Sequence, residues 1–200
     1  AVSRNVKFIL LPGDMSDDSQ PFNVGGLKQV LENYSKKYNL TFLVINGNHD
    51  AIRPFKTDAG KADFLGDQGK SQPVMSREGM YSPKSTDEHP VSVSPEICTM
   101  GYREMVDNLG SYGFLPDKDF LYWETPFSDY DVADYNFKKA QEASSLEKRC
   151  YENQEYNLTL PDVSYLVEPV KGLWFLAIDA NVYVPKEEAK TDPKNPANYS

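Results

Sequence analysis

The chain is poor in the residues that build disulfide frameworks and soft-metal sites. It contains only two cysteines and two histidines among 200 residues. Cys98 and Cys150 form no CxxC pair and no zinc-ligand spacing, so a Cys-rich zinc module is excluded. Two separate thiols are the expected state of these cysteines, and a disulfide between them is left open.

Long apolar runs are also missing. No stretch reaches the roughly 18 consecutive apolar residues of a transmembrane helix, so we expect no membrane span and a soluble protein. No signal peptide is recognisable, although one removed upstream is compatible with a chain that enters a strand soon after Ala1. The compartment and the oligomeric state are left open.

Positive charge is scarce relative to negative charge. Lysine and arginine number 21 against 30 aspartates and glutamates, which gives a formal net charge of -9. Such a chain is a poor match for a nucleic-acid backbone or an anionic membrane as main partner. Acidic side chains instead suit cations, because carboxylates are hard oxygen ligands. The length suits a single domain over 1–200, with a sizeable core.

A strand, a helix and a second strand open the chain. Residues 6–11 form an apolar run that Pro12-Gly13 ends, which predicts a strand. Residues 23–39 place apolar side chains on one helical face, and residues 41–46 return to the pattern of a buried strand. A crossover of this length predicts a right-handed parallel unit.

Polar side chains follow both of these strands. The first is followed by Gly13-Asp14-Met15-Ser16-Asp17-Asp18 and the second by Gly47-Asn48-His49-Asp50. Because ligand groups collect at the carboxyl ends of strands in open α/β sheets, we expect Asp14, Asn48 and His49 to lie close together. A carboxylate can bridge two divalent metals, an amide oxygen is a neutral hard ligand, and an imidazole can protonate a leaving group. These residue types suit phosphate-ester hydrolysis at two metals about 3.5–4 Å apart.

The remainder of the chain is predicted as an insertion, about 53–157, followed by a hairpin. In order, we predict a long loop over 53–95, a helix over 95–109, a short aromatic strand at 120–123, a charged helix over 133–150, strands at 163–167 and 173–178, and a loop from 185 onward. The long-loop prediction depends on frequent glycine and proline. The hairpin prediction depends on the tight turn Pro169-Val170-Lys171-Gly172.

The two polar motifs carry a family resemblance. Gly13-Asp14-x-x-Asp17, followed one strand–helix–strand unit later by Gly47-Asn48-His49-Asp50, resembles the calcineurin-like metallophosphoesterase family. The later Gly172–Asp179 stretch is similar to the strand that precedes the C-terminal metal histidines of those enzymes. The resemblance covers roughly 5–52 and 160–181. It implies an α/β (α+β) fold in which two mixed β-sheets pack as a sandwich flanked by helices, here with a large insertion.

The resemblance also implies roles for individual residues. Asp14 would bridge both metals, and Asn48 would bind the second metal. His49 would protonate the leaving oxygen, Asp50 would orient His49 through a hydrogen bond, and Asp17 would support the loop without touching a metal. The implied activity is that of a phosphatase or phosphodiesterase acting on a phosphate-ester substrate, with a hydroxide bridging the metals as nucleophile. Mn, Fe, Zn and Mg all suit such ligands.

Two motifs of the family have no counterpart here. Its Asp-x-His motif does not occur before Asp14, and its Gly-His-x-His motif does not occur after Asp179. The remaining histidine, His89, lies in the Pro-rich part of the insertion, where we expect a surface-loop residue. We therefore expect this chain to be the middle of a larger enzyme, and the 200-residue polypeptide alone to bind metal weakly or to be inactive.

Two alternatives from other classes stay open. A phosphoesterase-like domain without catalysis would bind a ligand or a partner. A calcium-binding module would use the acidic loop that starts at Asp14, which begins somewhat like an EF-hand loop. Ser19 and Gly25, however, stand where that loop requires glycine and glutamate.

Overall fold

The computed structural model describes residues 2–193, 195 and 198–199. Over these residues the protein is a mixed α/β structure with four small sheets and three α-helices. The expected mixture of helices and strands is therefore confirmed. None of the described helices has both the length and the apolar character that a bilayer span requires.

The elements are numbered in chain order. The helices are α1 (Pro21–Tyr38), α2 (Tyr102–Leu109) and α3 (Phe137–Ala143). The strands are β1 (Phe8–Leu11), β2 (Thr41–Val44), β3 (Gly60–Leu65), β4 (Ser71–Met75), β5 (Ser92–Val93), β6 (Tyr122–Glu124), β7 (Cys150–Asn153), β8 (Leu158–Pro161), β9 (Tyr165–Val170) and β10 (Leu173–Ala177).

The predicted parallel unit is present. β1 and β2 pair in parallel, with Phe8 opposite Thr41 and Leu11 opposite Val44. α1 connects them: it starts with Pro21 in its first turn, where the missing N–H costs nothing, and it is followed by Asn39 in the left-handed conformation. Because both strands run in the same direction, the loops after β1 and β2 leave the same edge of the sheet.

A second sheet has the order β10-β9-β6 and contains the predicted antiparallel hairpin. β9 extends through Pro169, which the sequence had placed in the turn. The register with β10 shifts between Leu173 and Phe175, and such a bulge tolerates a proline that donates no hydrogen bond. The hydroxyl of Tyr165 in β9 donates to the carbonyl oxygen of Val44 at 2.7 Å and so ties this sheet to the end of β2.

The predicted long loop over 53–95 is wrong. This segment forms a third sheet, in which β4 pairs with β3 on one side and with β5 on the other. The sheet buries few side chains: β3 has none that is fully buried, and β4 buries only Pro73 and Met75. Strands that bury so little surface need no alternation of apolar and polar residues, which is the signal that would have predicted them.

The two helices predicted in the insertion are shorter than expected. The first is divided into a 3₁₀ turn, Pro95–Ile97, and α2, because the backbone of Gly101 packs closely against that of Phe55. The helix predicted over 133–150 is helical in α3, whose N-cap Asn136 accepts a hydrogen bond from the N–H of Lys139.

The chain after α3 also differs from its prediction. A 3₁₀ turn follows, and Cys150 begins β7, which pairs with the unpredicted strand β8. Both cysteines are free thiols, as expected. The predicted loop from 185 contains a short 3₁₀ helix, Glu187–Lys190, and residues 194, 196, 197 and 200 of that prediction lie outside the described residues.

Candidate functional site

The loops after β1 and β2 are in direct backbone contact through two glycines. Gly13 has a φ of +104°, and a Cβ atom there would lie 2.6 Å from the Cα of Gly47. A Cβ atom at Gly47 would overlap the carboxylate of Asp14. Only glycine allows this approach, so the residue types at both positions follow from the contact.

A buried carboxylate joins the same two loops. Asp50 is fully buried, and its Oδ1 accepts hydrogen bonds from the N–H groups of Met15 at 3.0 Å and Ser16 at 2.9 Å. The Ser16 hydroxyl also donates to Oδ1, at 2.8 Å, and the N–H of Gly47 donates to Oδ2 at 2.8 Å. Four donors thus compensate for the loss of water around this carboxylate and fix one loop against the other.

The structure corrects the predicted role of Asp50. We expected its carboxylate to orient the imidazole of His49, but its oxygens are used by the loop donors described above. Oδ1 of Asp18 lies 3.7 Å from Nδ1 of His49. Asp50 therefore supports the backbone of the site, and Asp18 lies beside the titratable ring.

Asp14 and Asn48 lie at the exposed rim of the two loops. Oδ1 of Asp14 accepts a hydrogen bond of 3.0 Å from the backbone N–H of His49. Asn48 lies between Gly47 and His49, both of which contact Asp14, and its side chain is exposed. The loops that carry the predicted metal ligands are thus adjacent, and the helix–loop–helix of an EF-hand is replaced here by strand β1, the acidic loop and α1.

Three side chains form a compact polar group beside this rim. Asp17, Asp18 and His49 each place one potential ligand atom within 4.8 Å of the other two. Lys61 of β3 reaches this group: its ammonium pairs with the carboxylate of Asp17 and lies 3.4 Å from Oδ2 of Asp18. The hydrogen bond to Asp17 raises the pKa of Lys61. Asp17, expected only to support its loop, in fact links that loop to the third sheet.

His89 takes no part in this group. Its ring Nε2 lies 3.0 Å from the carbonyl oxygen of Asp67, and its backbone N–H donates to the carbonyl oxygen of Ser71 at 2.8 Å. These bonds connect the chain before β5 to the turn between β3 and β4. The role of His89 is therefore local to the third sheet.

The segment after β10 supports the loop after β2 and was not recognised as part of the site. The side-chain amide of Asn181 donates to the carbonyl oxygen of Gly47 at 3.2 Å. The hydroxyl of Tyr183 donates to the carbonyl oxygen of Ala51. Asp179 accepts hydrogen bonds from the N–H groups of Val163 and Asn181, and burial raises the pKa of Asp179.

The donor atoms at this edge suit a divalent cation. The convergent group consists of Asp17, Asp18 and His49, whose oxygen and nitrogen atoms are of the kinds that such ions take. Asp14 is not part of this convergent group, although it lies on the same loop as Asp17 and Asp18. The ammonium of Lys61 already pairs with two of these carboxylates and would compete with a metal ion for them. Comparisons with protein-family models, curated proteins and solved structures found no match to this chain.

Proposed function

We propose that this chain carries the site of a metallophosphoesterase, a hydrolase of phosphate mono- or diesters that uses two divalent metal ions. The main support is the contact between the loop of Asp14 and the loop of Asn48 and His49, held by two glycines and by Asp50. Contact of this kind is what a shared metal centre requires of ligands that are distant in sequence. Mn, Fe, Zn and Mg are the candidate ions.

Each residue has a defined task in this proposal. Asp14 and Asn48 hold the metal ions at the rim of the two loops. When bound, the ions supply Lewis-acid stabilisation of the phosphoryl oxygens and an activated water. His49 gives a proton to the leaving oxygen, and the carboxylate of Asp18, 3.7 Å from its Nδ1, holds the ring in position.

The proposal includes the fold of that family, two sheets packed face to face. Contacts between the β1–β2 pair and the β6-β9-β10 sheet support it. The rings of Phe8 and Phe175 have centroids 5.9 Å apart, and Tyr165 bonds to the carbonyl oxygen of Val44. The third sheet, β3 to β5, then lies within the insertion, about 53–157, that distinguishes this chain.

The ion pair of Lys61 favours a second candidate, a phosphoesterase-like domain that binds a ligand without catalysis. An ammonium held by Asp17 and Asp18 neutralises carboxylates beside His49, so that they attract a metal ion less strongly. In that case the site would bind an anionic ligand through Lys61 rather than hydrolyse it.

Metal-dependent hydrolysis separates the two candidates. Mn²⁺ is titrated into the full-length protein while hydrolysis of bis-p-nitrophenyl phosphate and p-nitrophenyl phosphate is followed, and Mn²⁺ binding is measured by calorimetry. We expect metal-dependent turnover that Asp14→Asn abolishes together with Mn²⁺ binding. His49→Ala should lower turnover by roughly a hundredfold or more while Mn²⁺ binding persists.

Asp119→Asn is the matched control, since Asp119 is an exposed carboxylate of a loop outside the site. It should change neither turnover nor Mn²⁺ affinity. A full-length protein that binds no Mn²⁺ and hydrolyses neither ester would contradict the enzyme proposal and favour the binding domain without catalysis.

A further inference from the structure

We propose that a cavity between α1 and the third sheet receives the leaving group of the substrate, and that this group carries an uncharged aromatic ring. The inference deepens the proposed function and rests on it. It assigns the insertion a direct part in substrate choice, through Phe64 of β3 and Phe22 of α1.

The cavity has the size and the lining of a small-molecule site. Its volume is about 360 Å³, within the range of ligand pockets. Phe22, Phe64, Val74 and Ile97 supply its apolar surface. A larger hollow of about 510 Å³ lies beside α3, but its walls include charged residues such as Lys139 and share no residue with the candidate site.

The two phenylalanines are unusually exposed for their size. Phe22 is 74% exposed and Phe64 is 37% exposed, although both border a concave surface. Aromatic side chains left open at a cavity favour a flat apolar ligand, because ring faces and edges attract one another in stacked or edge-to-face arrangements. Ile97, another apolar residue of the lining, is buried and forms the floor of the cavity.

Asp17 connects this cavity to the chemistry. It lines the cavity, and one of its ligand atoms lies within 4.8 Å of those of His49 and Asp18. Since His49 is the proposed proton donor to the leaving oxygen, the leaving group must emerge on the His49 side of the phosphoryl group. The cavity beyond Asp17 is therefore placed to take it.

Charge narrows the choice of leaving group. The carboxylate of Asp17 is paired with Lys61, whereas the carboxylate of Glu96 also lines the cavity and has no such partner among the described residues of the cavity lining. A second phosphate or a carboxylate on the leaving group would therefore be repelled by Glu96. In the reaction the P–O bond to the leaving oxygen breaks and a P–O bond to the water oxygen forms. The leaving oxygen takes the proton of His49, a proton of the water replaces it, and the product in the cavity is an uncharged phenol or alcohol.

Binding of the product tests the cavity without any need for turnover. 2-Naphthol is titrated into the protein, and its fluorescence reports binding. Phe22→Ser and Phe64→Ser should each weaken binding by roughly fivefold, since each removes part of the apolar contact. Leu65→Ser is the matched control: Leu65 follows Phe64 in β3, is 88% exposed and points to the opposite face of the strand.

Kinetics then test the assignment to the leaving group. Phe64→Ser should raise KM for 2-naphthyl phosphate and leave KM for methyl phosphate unchanged. Metal-dependent hydrolysis without any effect of Phe22 or Phe64 on naphthol binding or on KM would overturn the inference while the proposed function stands. Naphthol binding that depends on Phe64 in a protein without hydrolysis would overturn the leaving-group assignment together with the proposed function.

Discussion

At the scale of single residues, the site depends on buried polar groups whose partners are mostly backbone atoms. Asp50 is the central case, because its four donors come from both loops. Hydrogen bonds to a charged group contribute more than neutral ones, and donors left without a partner after a substitution are costly. The position of Asp14 against His49 is thus maintained by a residue that need not touch a substrate.

We expect Asp50→Asn to lower the free energy of unfolding by about 3 kcal/mol, because the amide turns one acceptor into a donor that faces N–H groups. Chemical denaturation followed by circular dichroism measures this change. Asp119→Asn should leave the stability within roughly 0.5 kcal/mol of the parent. Equal stability of the two variants would mean that Asp50 does not hold the loops together.

Tyrosine burial predicts how stability depends on alkaline pH. Burial raises the pKa of Tyr102, Tyr165 and Tyr183 above the ordinary value of 10.0, so the unfolded chain loses these protons before the folded one does. Their contribution to stability is complete below pH 10 and is lost as the pH rises through the raised values. Arg149 has the opposite effect on stability, since burial lowers its pKa to about 10 and its proton is lost from the folded protein first. The three tyrosines outnumber this one arginine, so we expect stability to fall at alkaline pH.

Absorbance of the phenolate and circular dichroism, followed together, check this expectation. Part of the tyrosine ionisation should be delayed above pH 10 and should coincide with the loss of structure. Complete ionisation near pH 10 with the fold intact would contradict the expectation.

The sequence could predict some of these residues and not others. The approach of Asp14 to Asn48 and His49 follows from two apolar strands and a crossover helix, which the pattern reveals. Three of the four donors to Asp50 are backbone N–H groups. Nearly every residue has such a group, so the sequence cannot predict which of them will bind this carboxylate. Lys61 was missed because it belongs to a strand without alternation, and its ion pair with Asp17 spans two elements.

At the scale of elements, glycine lowers stability in α1 and is required for the close contact between the loops. Gly26 lies in the interior of α1, and a Cβ atom there would meet no other atom within 4 Å. Gly13 and Gly47 leave no room for a Cβ. The same residue type therefore weakens a helix at one place and permits a close contact at another.

We expect Gly26→Ala to raise the free energy of unfolding by up to about 1 kcal/mol, since alanine favours the helix. Gly47→Ala should lower it by about 1–3 kcal/mol, because the new methyl group must displace Asp14. Thermal unfolding of both variants provides the comparison. A destabilised Gly26→Ala or an unaffected Gly47→Ala would be inconsistent with these contacts.

At the scale of the whole molecule, the described surface carries an apolar strip along β10. This strand is at one end of its sheet, and Trp174, Leu176 and the following Ile178 are 41%, 65% and 62% exposed. An edge strand with exposed apolar side chains is a template for pairing with another chain.

Leu176→Lys should therefore reduce concentration-dependent self-association of the 200-residue polypeptide, because a charge on an edge strand opposes further pairing. Sedimentation velocity at increasing protein concentration measures the effect. Val132→Lys is the control, since Val132 is a comparably exposed residue in a loop rather than a strand. An equal effect of both substitutions would point to net charge rather than to the edge.

The backbone contact between Gly13 and Gly47 also limits how this sequence can change. Neither position has space to give to the other, so a larger residue at one cannot be compensated by a smaller residue at its partner. A larger residue at either position therefore destabilises the contact between the loops, whatever residue occupies the other position. In a library that varies the whole chain and is selected for stability, glycine should be enriched at these two positions, while Gly25 and Gly26 in the neighbouring helix should vary.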